Sequence, residues 1–175
     1  SLGTAFLGKS PDGSGRAVFI GLQSDGSIVQ IQVEAGVDGL APAGTIKPLT
    51  AGAPAARAGV AFNWVPNPIL YITAPVDNSV VVLTLRSDGK LFHVESTRRI
   101  KAQEFNTPVD IAPAVVEVAN PTFSSNTTLA GDADLYVANR GNGTITRIKQ
   151  NGTVVAVRKI KLPGVKGTLG AGKLN

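Results

Sequence analysis

Apolar residues in this chain come in short bursts separated by turn formers, the spacing of strands and not of helices. Three bursts, "AVFIGL" at 17–22, "VVVLTL" at 80–85 and the weaker "TITRI" at 144–148, each lead into a polar residue followed by Asp-Gly or Asn-Gly. The glycines of these tips are Gly26, Gly89 and Gly152, so the interval is 63 residues both times. A spacing held that closely marks an internal repeat. Asp-Gly and Asn-Gly supply the positive φ that a tight hairpin needs, so each repeat carries a hairpin tip.

After each tip the pattern alternates with period two. Val29, Phe92 and Val155 correspond, as do Ile31, Val94 and Val157, with Gln30, His93 and Ala156 between them and Gln32, Glu95 and Arg158 following. This predicts an outer strand with one buried and one wet face, and it leaves His93 exposed. The bursts before the tips are apolar on both faces, which predicts strands covered on both sides. Upstream of these lie "AFLG" at 5–8, "ILYIT" at 69–73 and "DLYVAN" at 134–139. A further strand precedes them in the second and third repeats, at 58–65 and 109–118, with Pro113 at a bulge or end and Trp64 expected in packing.

Four antiparallel strands per repeat, joined by short hairpins, describe a propeller blade. The expected fold is all-β, a β-propeller segment with about three blades, near residues 1–50, 51–106 and 107–166, and the start of a next blade at 167–175. The repeat phase puts "TAFLGK" at a second strand and "GTLGAGKLN" where a further first strand begins. The ring is therefore expected to be incomplete, as part of a longer propeller chain or as a homodimer combining three blades with three. Ser1 at the start and the lack of Met agree with a mature or cut form.

"LYITAPVDNSVVVLTLRSDGKLF" at 70–92 and "LYVANRGNGTITRIKQNGTVV" at 135–155 resemble the blades of YVTN-type and NHL-type β-propellers, in which a Tyr-Val-x-Asn-like strand runs through a turn to a second strand and an Asp-Gly or Asn-Gly hairpin. The resemblance implies a fold and no single activity, since such propellers include enzymes, carriers, adhesins and scaffolds. Bacterial members are commonly exported. That implies an extracytoplasmic location, periplasmic or secreted.

Composition narrows the chemistry. With no Cys, the 175-residue chain has no disulfide, thiolate metal site or thiol nucleophile, and one His leaves hydrolytic triads without parts. Glu34, Glu95, Glu104 and Glu117 sit at unrelated points of the repeat, which argues against a metal ring of lactonase type. A lone Trp64 argues against the tryptophan docking of quinoprotein dehydrogenases. No cofactor is expected. Asp132, Asp134 and Asp77 are weak candidates for a Ca²⁺ site. Asn126, Asn142 and Asn151 begin Asn-x-Thr sequons, and the last two already serve turns.

Charge is segregated along the chain. All 12 acidic residues lie at or before Asp134, and Arg140, Arg147, Lys149, Arg158, Lys159, Lys161, Lys166 and Lys173 follow it, within a net charge of +5. Arg147, Lys149, Arg158, Lys159 and Lys161 form a candidate surface for an anionic partner, protein or polymer, against the plainer reading of an edge strand protected by charge. Sparse aromatics argue against nucleic acid, and no apolar run is long enough to span a membrane as a helix. The reading that follows is a non-catalytic binding or scaffold module within a larger assembly. The alternative is a fragment of a propeller enzyme, lactonase-like or dehydrogenase-like, whose active residues lie outside this chain.

Overall fold

A computed structural model describes residues 3–9, 13–14, 16–23, 26–36, 39–50, 58–63, 68–89, 91–114 and 134–160, with backbone alone for 3–9, 34–36, 39–50 and 63. Asp25, Trp64, Asn126, Asp132 and Lys161 lie outside the described residues. The chain is all-β, with three four-stranded antiparallel sheets. The first comprises β1 (Gly3–Lys9), β2 (Ala17–Leu22), β3 (Ile28–Gly36) and β4 (Gly39–Thr50). The second comprises β5 (Val60–Asn63), β6 (Ile69–Ala74), β7 (Ser79–Ser87) and β8 (Phe92–Lys101). The third comprises β9 (Pro108–Pro113), β10 (Leu135–Asn139), β11 (Thr144–Ile148) and β12 (Val154–Lys159). Each sheet runs in sequence order, and their first strands adjoin, β1 beside β5 and β5 beside β9. The arrangement is propeller-like.

The second sheet is the filling of this stack, and its alternation assigns each residue to a neighbour. Leu70, Ile72, Val81, Leu83 and Leu85 pack against Val18, Ile20, Leu22 and Ile28 of the first sheet. Tyr71, Val80 and Val82 point the other way, against Ile111, Leu135, Val137 and Ile148 of the third. This two-sided burial is why β7 is apolar along nearly its whole length. β2 and β11 were expected to be covered on both sides as well. Among the described residues each has a neighbouring sheet on one face only, and β11 alternates buried with half-buried or exposed positions accordingly.

The tips carry their glycines at positive φ, Gly26 at 79°, Gly89 at 84° and Gly152 at 96°. Their loops nevertheless differ. Gln23 pairs with Ser27 and Lys149 with Thr153, and in both the glycine amide also donates to the first residue's carbonyl, whereas Asp88 pairs with Leu91 across a loop shorter by one residue. A hairpin tip is present in every repeat, and a two-residue loop occurs at the second alone. The other two match the three-residue loop that ends on a left-handed glycine.

The first sheet departs from the repeat. Its tip at Gly26 joins the second and third strands, while Gly89 and Gly152 join third to fourth. "AFLG" is therefore part of a first strand, not a second, and the fourth strand is β4. That strand has Pro42 and Pro48 paired at Val33 and Val29, with register shifts beside both. Prolines hid it in the sequence, and they are tolerated because it is an edge. With β4 beside β8 and β1 beside β5, this sheet is displaced by one strand. In an antiparallel sheet one step reverses strand direction and hence the face a residue points to. Val18, Ile20 and Leu22 thus share a core with Val81, Leu83 and Leu85, their own counterparts 63 residues on.

The same displacement corrects the expected wet face of β3. Gln30 and Gln32 are buried, and Val29 and Ile31 are half-buried on the other side. Gln30 has a reason to be inside. Its amide donates to the Phe92 carbonyl at 2.8 Å and accepts from the Phe92 amide at 3.0 Å, replacing a strand partner at the start of β8. In β12 the pattern also inverts, with Val155 and Val157 exposed. Val155 is the extra residue of a bulge, since Ile148 pairs with Val154 and Arg147 with Ala156.

Two buried side-chain polar atoms have no partner among the described residues, the Gln150 amide nitrogen at the third tip and, within the stack, the Tyr71 hydroxyl. Burial raises its pKa above the ordinary 10.0, and the Arg98 guanidinium partly offsets this. Above pH 10 the unfolded chain releases that proton while the folded chain retains it. Stability present below that pH is therefore lost as pH rises toward the folded-state value. Tyr71→Phe removes the orphan hydroxyl and should raise the urea midpoint at neutral pH by the equivalent of ~1 to 2 kcal/mol, with a shallower alkaline decline. A lower midpoint would show that the hydroxyl is bonded.

Candidate interaction surface

The cationic residues singled out from the sequence separate once strand pairing fixes their faces. Tyr136 pairs with Ala112 on one side and Arg147 on the other, and Arg147 pairs onward with Ala156. The adjacent row is Asp110, Ala138, Ile145 and Arg158. These rows lie on the face of the third sheet turned away from the second, because Leu135, Val137 and Ile148 occupy the inner face. Lys149, two residues beyond Arg147, shares that outer face at the base of the tip. Lys159 pairs with Thr144 and faces the opposite way. Arg147, Lys149 and Arg158 are thus brought together, and Lys159 joins them only around the edge of β12, the outermost strand among the described residues.

Their charges are not equally free. Asp134, whose side chain is 13% exposed, accepts from both Nε and Nη2 of Arg147. That geometry is bidentate at one carboxylate oxygen, so Arg147 brings its own counter-ion to the face. Lys149, Arg158 and Lys159 are exposed at the outer edge. Beside them stand Val155 and Val157, at 43% and 37% exposure. The outermost strand therefore combines apolar side chains with positive charge.

The oxygen candidates are placed as follows. Asp77 is held by Arg99 at the turn between β6 and β7. Asp134 is held by Arg147 at the entry to β10. Among the described residues no group of three or more His, Asp or Glu side chains converges as a metal cage would. His93 is exposed on β8 and contacts Asp88 at 2.8 Å. The Asn142 side chain accepts from the Thr144 hydroxyl, and that of Asn151 from the Thr153 amide, so both asparagines stabilise turns.

A polar junction that the sequence did not signal ties the second and third sheets together at one end. Asn78 accepts from the Thr107 amide at 2.7 Å, and Asn139 accepts from the Asn106 amide at 3.2 Å. The amides of Arg140 and Gly141 donate to the carbonyls of Thr107 and Asn106. Thr107 has φ 52°, an unusual value for a β-branched residue. The same bonds that hold it there lock the neighbouring turns, which is a structural role.

No family model matches the chain, and no curated protein matches it either. Among solved structures it is similar to selenomethionine-substituted virginiamycin B lyase from Staphylococcus aureus. The identity is 20% and the TM-score 0.47, over 89% of this chain and 40% of that one. It is also similar to a protein of unknown function from Bacteroides caccae, at 12% identity and TM-score 0.39, over 90% of this chain and 58% of that one. The chain thus spans less than two thirds of either structure. At these scores neither says what this chain binds or does.

Proposed function

We propose that this chain is a non-catalytic binding or scaffold module of the YVTN or NHL propeller type, acting outside the cytoplasm, with the outer edge of the third sheet as its docking strip for an acidic partner. The observation that carries this reading is the composition of β12, where exposed Val155 and Val157 alternate with Ala156 and lead into Arg158 and Lys159, with Lys149 alongside. Apolar side chains on a strand that is outermost among the described residues, with cations around them, offer contact area and long-range attraction to a negatively charged partner. A binding role is also favoured by the way Asp77 and Asp134 are engaged. Each carboxylate is committed to an arginine, and an ion pair holds structure more readily than it performs acid-base chemistry. The exported location rests on the family resemblance.

The test is retention on immobilised poly-glutamate. The protein should bind at low salt and elute as ionic strength rises, given a screening length of ~10 Å at 0.1 M. The double variant Arg158→Glu, Lys159→Glu should abolish retention while keeping its circular dichroism spectrum. Retention unchanged by the charge reversal, or binding indifferent to salt, would remove the docking-strip assignment. Recovery of the native protein from the cytoplasmic fraction of its host would remove the location.

A further inference from the structure

Asn-Gly-Thr occurs twice in the chain, at 142–144 in the turn from β10 to β11 and at 151–153 in the third tip. In an Asn-Gly pair the side-chain amide is open to attack by the nitrogen of the following residue, because glycine has no side chain to obstruct the approach. The chain itself already holds that nitrogen beside the Asn Cγ. With identical tripeptides, a difference between the two places comes from the fold.

The fold treats the two nitrogens differently. At the tip the Gly152 amide donates to the Lys149 carbonyl at 2.8 Å. Its proton is withheld from base until the tip opens, as in hydrogen exchange. In the β10–β11 turn the Gly143 amide has no hydrogen-bond acceptor among the described residues, while the Gly143 carbonyl accepts from the Ile160 amide at 3.0 Å. Both side-chain carbonyls are polarised. Asn151 Oδ1 accepts from the Thr153 amide at 2.9 Å, and Asn142 Oδ1 from the Thr144 hydroxyl at 2.7 Å. That hydroxyl in turn accepts from the Asn139 side-chain amide at 3.2 Å, which strengthens its donation. Exposure points the other way, since Asn151 is exposed whereas Asn142 is half-buried and Gly143 buried. Ring closure is intramolecular and needs from solvent only a base and, afterwards, one water, so a free nucleophile weighs more.

We infer that Asn142 is a self-modification site, where the chain closes a succinimide ring and becomes aspartyl or isoaspartyl, while Asn151 is protected. The Gly143 nitrogen gives its proton to a solvent base and bonds to Asn142 Cγ. Oδ1 takes up the displaced electron pair under the Thr144 hydroxyl, which stands where that charge gathers. Collapse of the oxyanion breaks the Cγ–Nδ2 bond, and Nδ2 leaves as ammonia with a proton from solvent. Water then opens the ring at either carbonyl. A neutral amide is thus replaced by a carboxylate next to the row in which Thr144 pairs with Lys159, and the net charge of +5 falls by one. In the isoaspartyl form the main chain also gains an atom before Gly143, whose carbonyl holds the Ile160 amide just past β12.

Tryptic mapping of the folded protein, held at mildly alkaline pH, tests the assignment. Cleavage after Arg140, Arg147, Lys149 and Arg158 puts the two asparagines on separate peptides, 141–147 and 150–158. Peptide 141–147 should gain aspartyl and isoaspartyl forms roughly 5-fold faster than 150–158, the factor of one amide hydrogen bond. In urea, with both segments unfolded, the two should convert at nearly equal rates. Thr144→Val should slow conversion at Asn142 by roughly 10-fold and leave Asn151 unchanged, while Thr144→Ser keeps the wild-type rate. Equal rates in the folded protein, faster conversion at Asn151, or a difference that persists in urea overturns the inference. A folded Thr144→Val variant with an unchanged rate at Asn142 overturns it too, because the oxyanion donor is then idle. If that variant does not fold, the native and urea rates of the wild-type protein decide.

Discussion

Gly152→Val is expected to lower stability by ~2 to 5 kcal/mol, and Gly89→Val at the equivalent tip by only ~1 to 3 kcal/mol. Both glycines have positive φ, 96° and 84°, which a β-branched residue adopts only with strain. They differ in what a side chain would meet. Around Gly89 nothing lies within 4 Å of the Cβ position, while at Gly152 the Cγ2 of Ile100 is 2.8 Å away. Ile100 is itself buried in the core between the second and third sheets and has little room to retreat. The third tip therefore folds over the end of the second sheet, and its glycine is required twice, once by backbone conformation and once by packing. Urea unfolding of both variants measures the difference. Equal losses would mean that the tip does not rest on Ile100.

Asn139→Ala should cost ~2 to 4 kcal/mol, more than any surface substitution on the same sheet. The Asn139 side chain is buried. It donates to the hydroxyls of Thr146 at 2.9 Å and Thr144 at 3.2 Å, and it accepts from the Asn106 amide at 3.2 Å. Truncation leaves that amide without its side-chain acceptor, next to the left-handed Thr107, so the connection from β8 to β9 should loosen first. Amide exchange at Asn106 and at Gly141, whose amide donates to the Asn106 carbonyl, reports this directly. A loss below about 1 kcal/mol, or unchanged exchange at both amides, would show that water substitutes for the asparagine.

Gly59 shows how closely the same two sheets approach at the level of backbone. A Cβ there would lie 2.6 Å from the Asp110 Cα, so the start of β5 and the middle of β9 touch main chain to main chain. The sequence showed Gly59 only as a residue of the strand expected at 58–65. Its requirement for the smallest residue arises from a chain segment some fifty residues away, and no local pattern encodes it.

Local chemistry by itself determined the three tips and the strands beside them, though not β4 with its prolines. The Asp-Gly and Asn-Gly turns, the alternation of "ILYIT" and the burst "VVVLTL" specify β6, β7 and β8 because turn conformation and strand amphipathicity depend on near neighbours. They also specify which side of β6 is Leu70 and which is Tyr71. The faces those sides meet were decided only in the tertiary structure. The 63-residue spacing implied that three tips occupy equivalent places, yet the first sheet gained β4 outside β3 and lost the equivalence. A one-strand displacement leaves every local turn and pairing intact, which is why the sequence repeat is blind to it. The burial of Gln30 and Gln32 follows from that displacement. So does the difference between Tyr71 and Tyr136, two tyrosines in nearly the same local sequence, one sealed by the next sheet and the other open. Burial is a property of what stands opposite, and strand periodicity records only that something can.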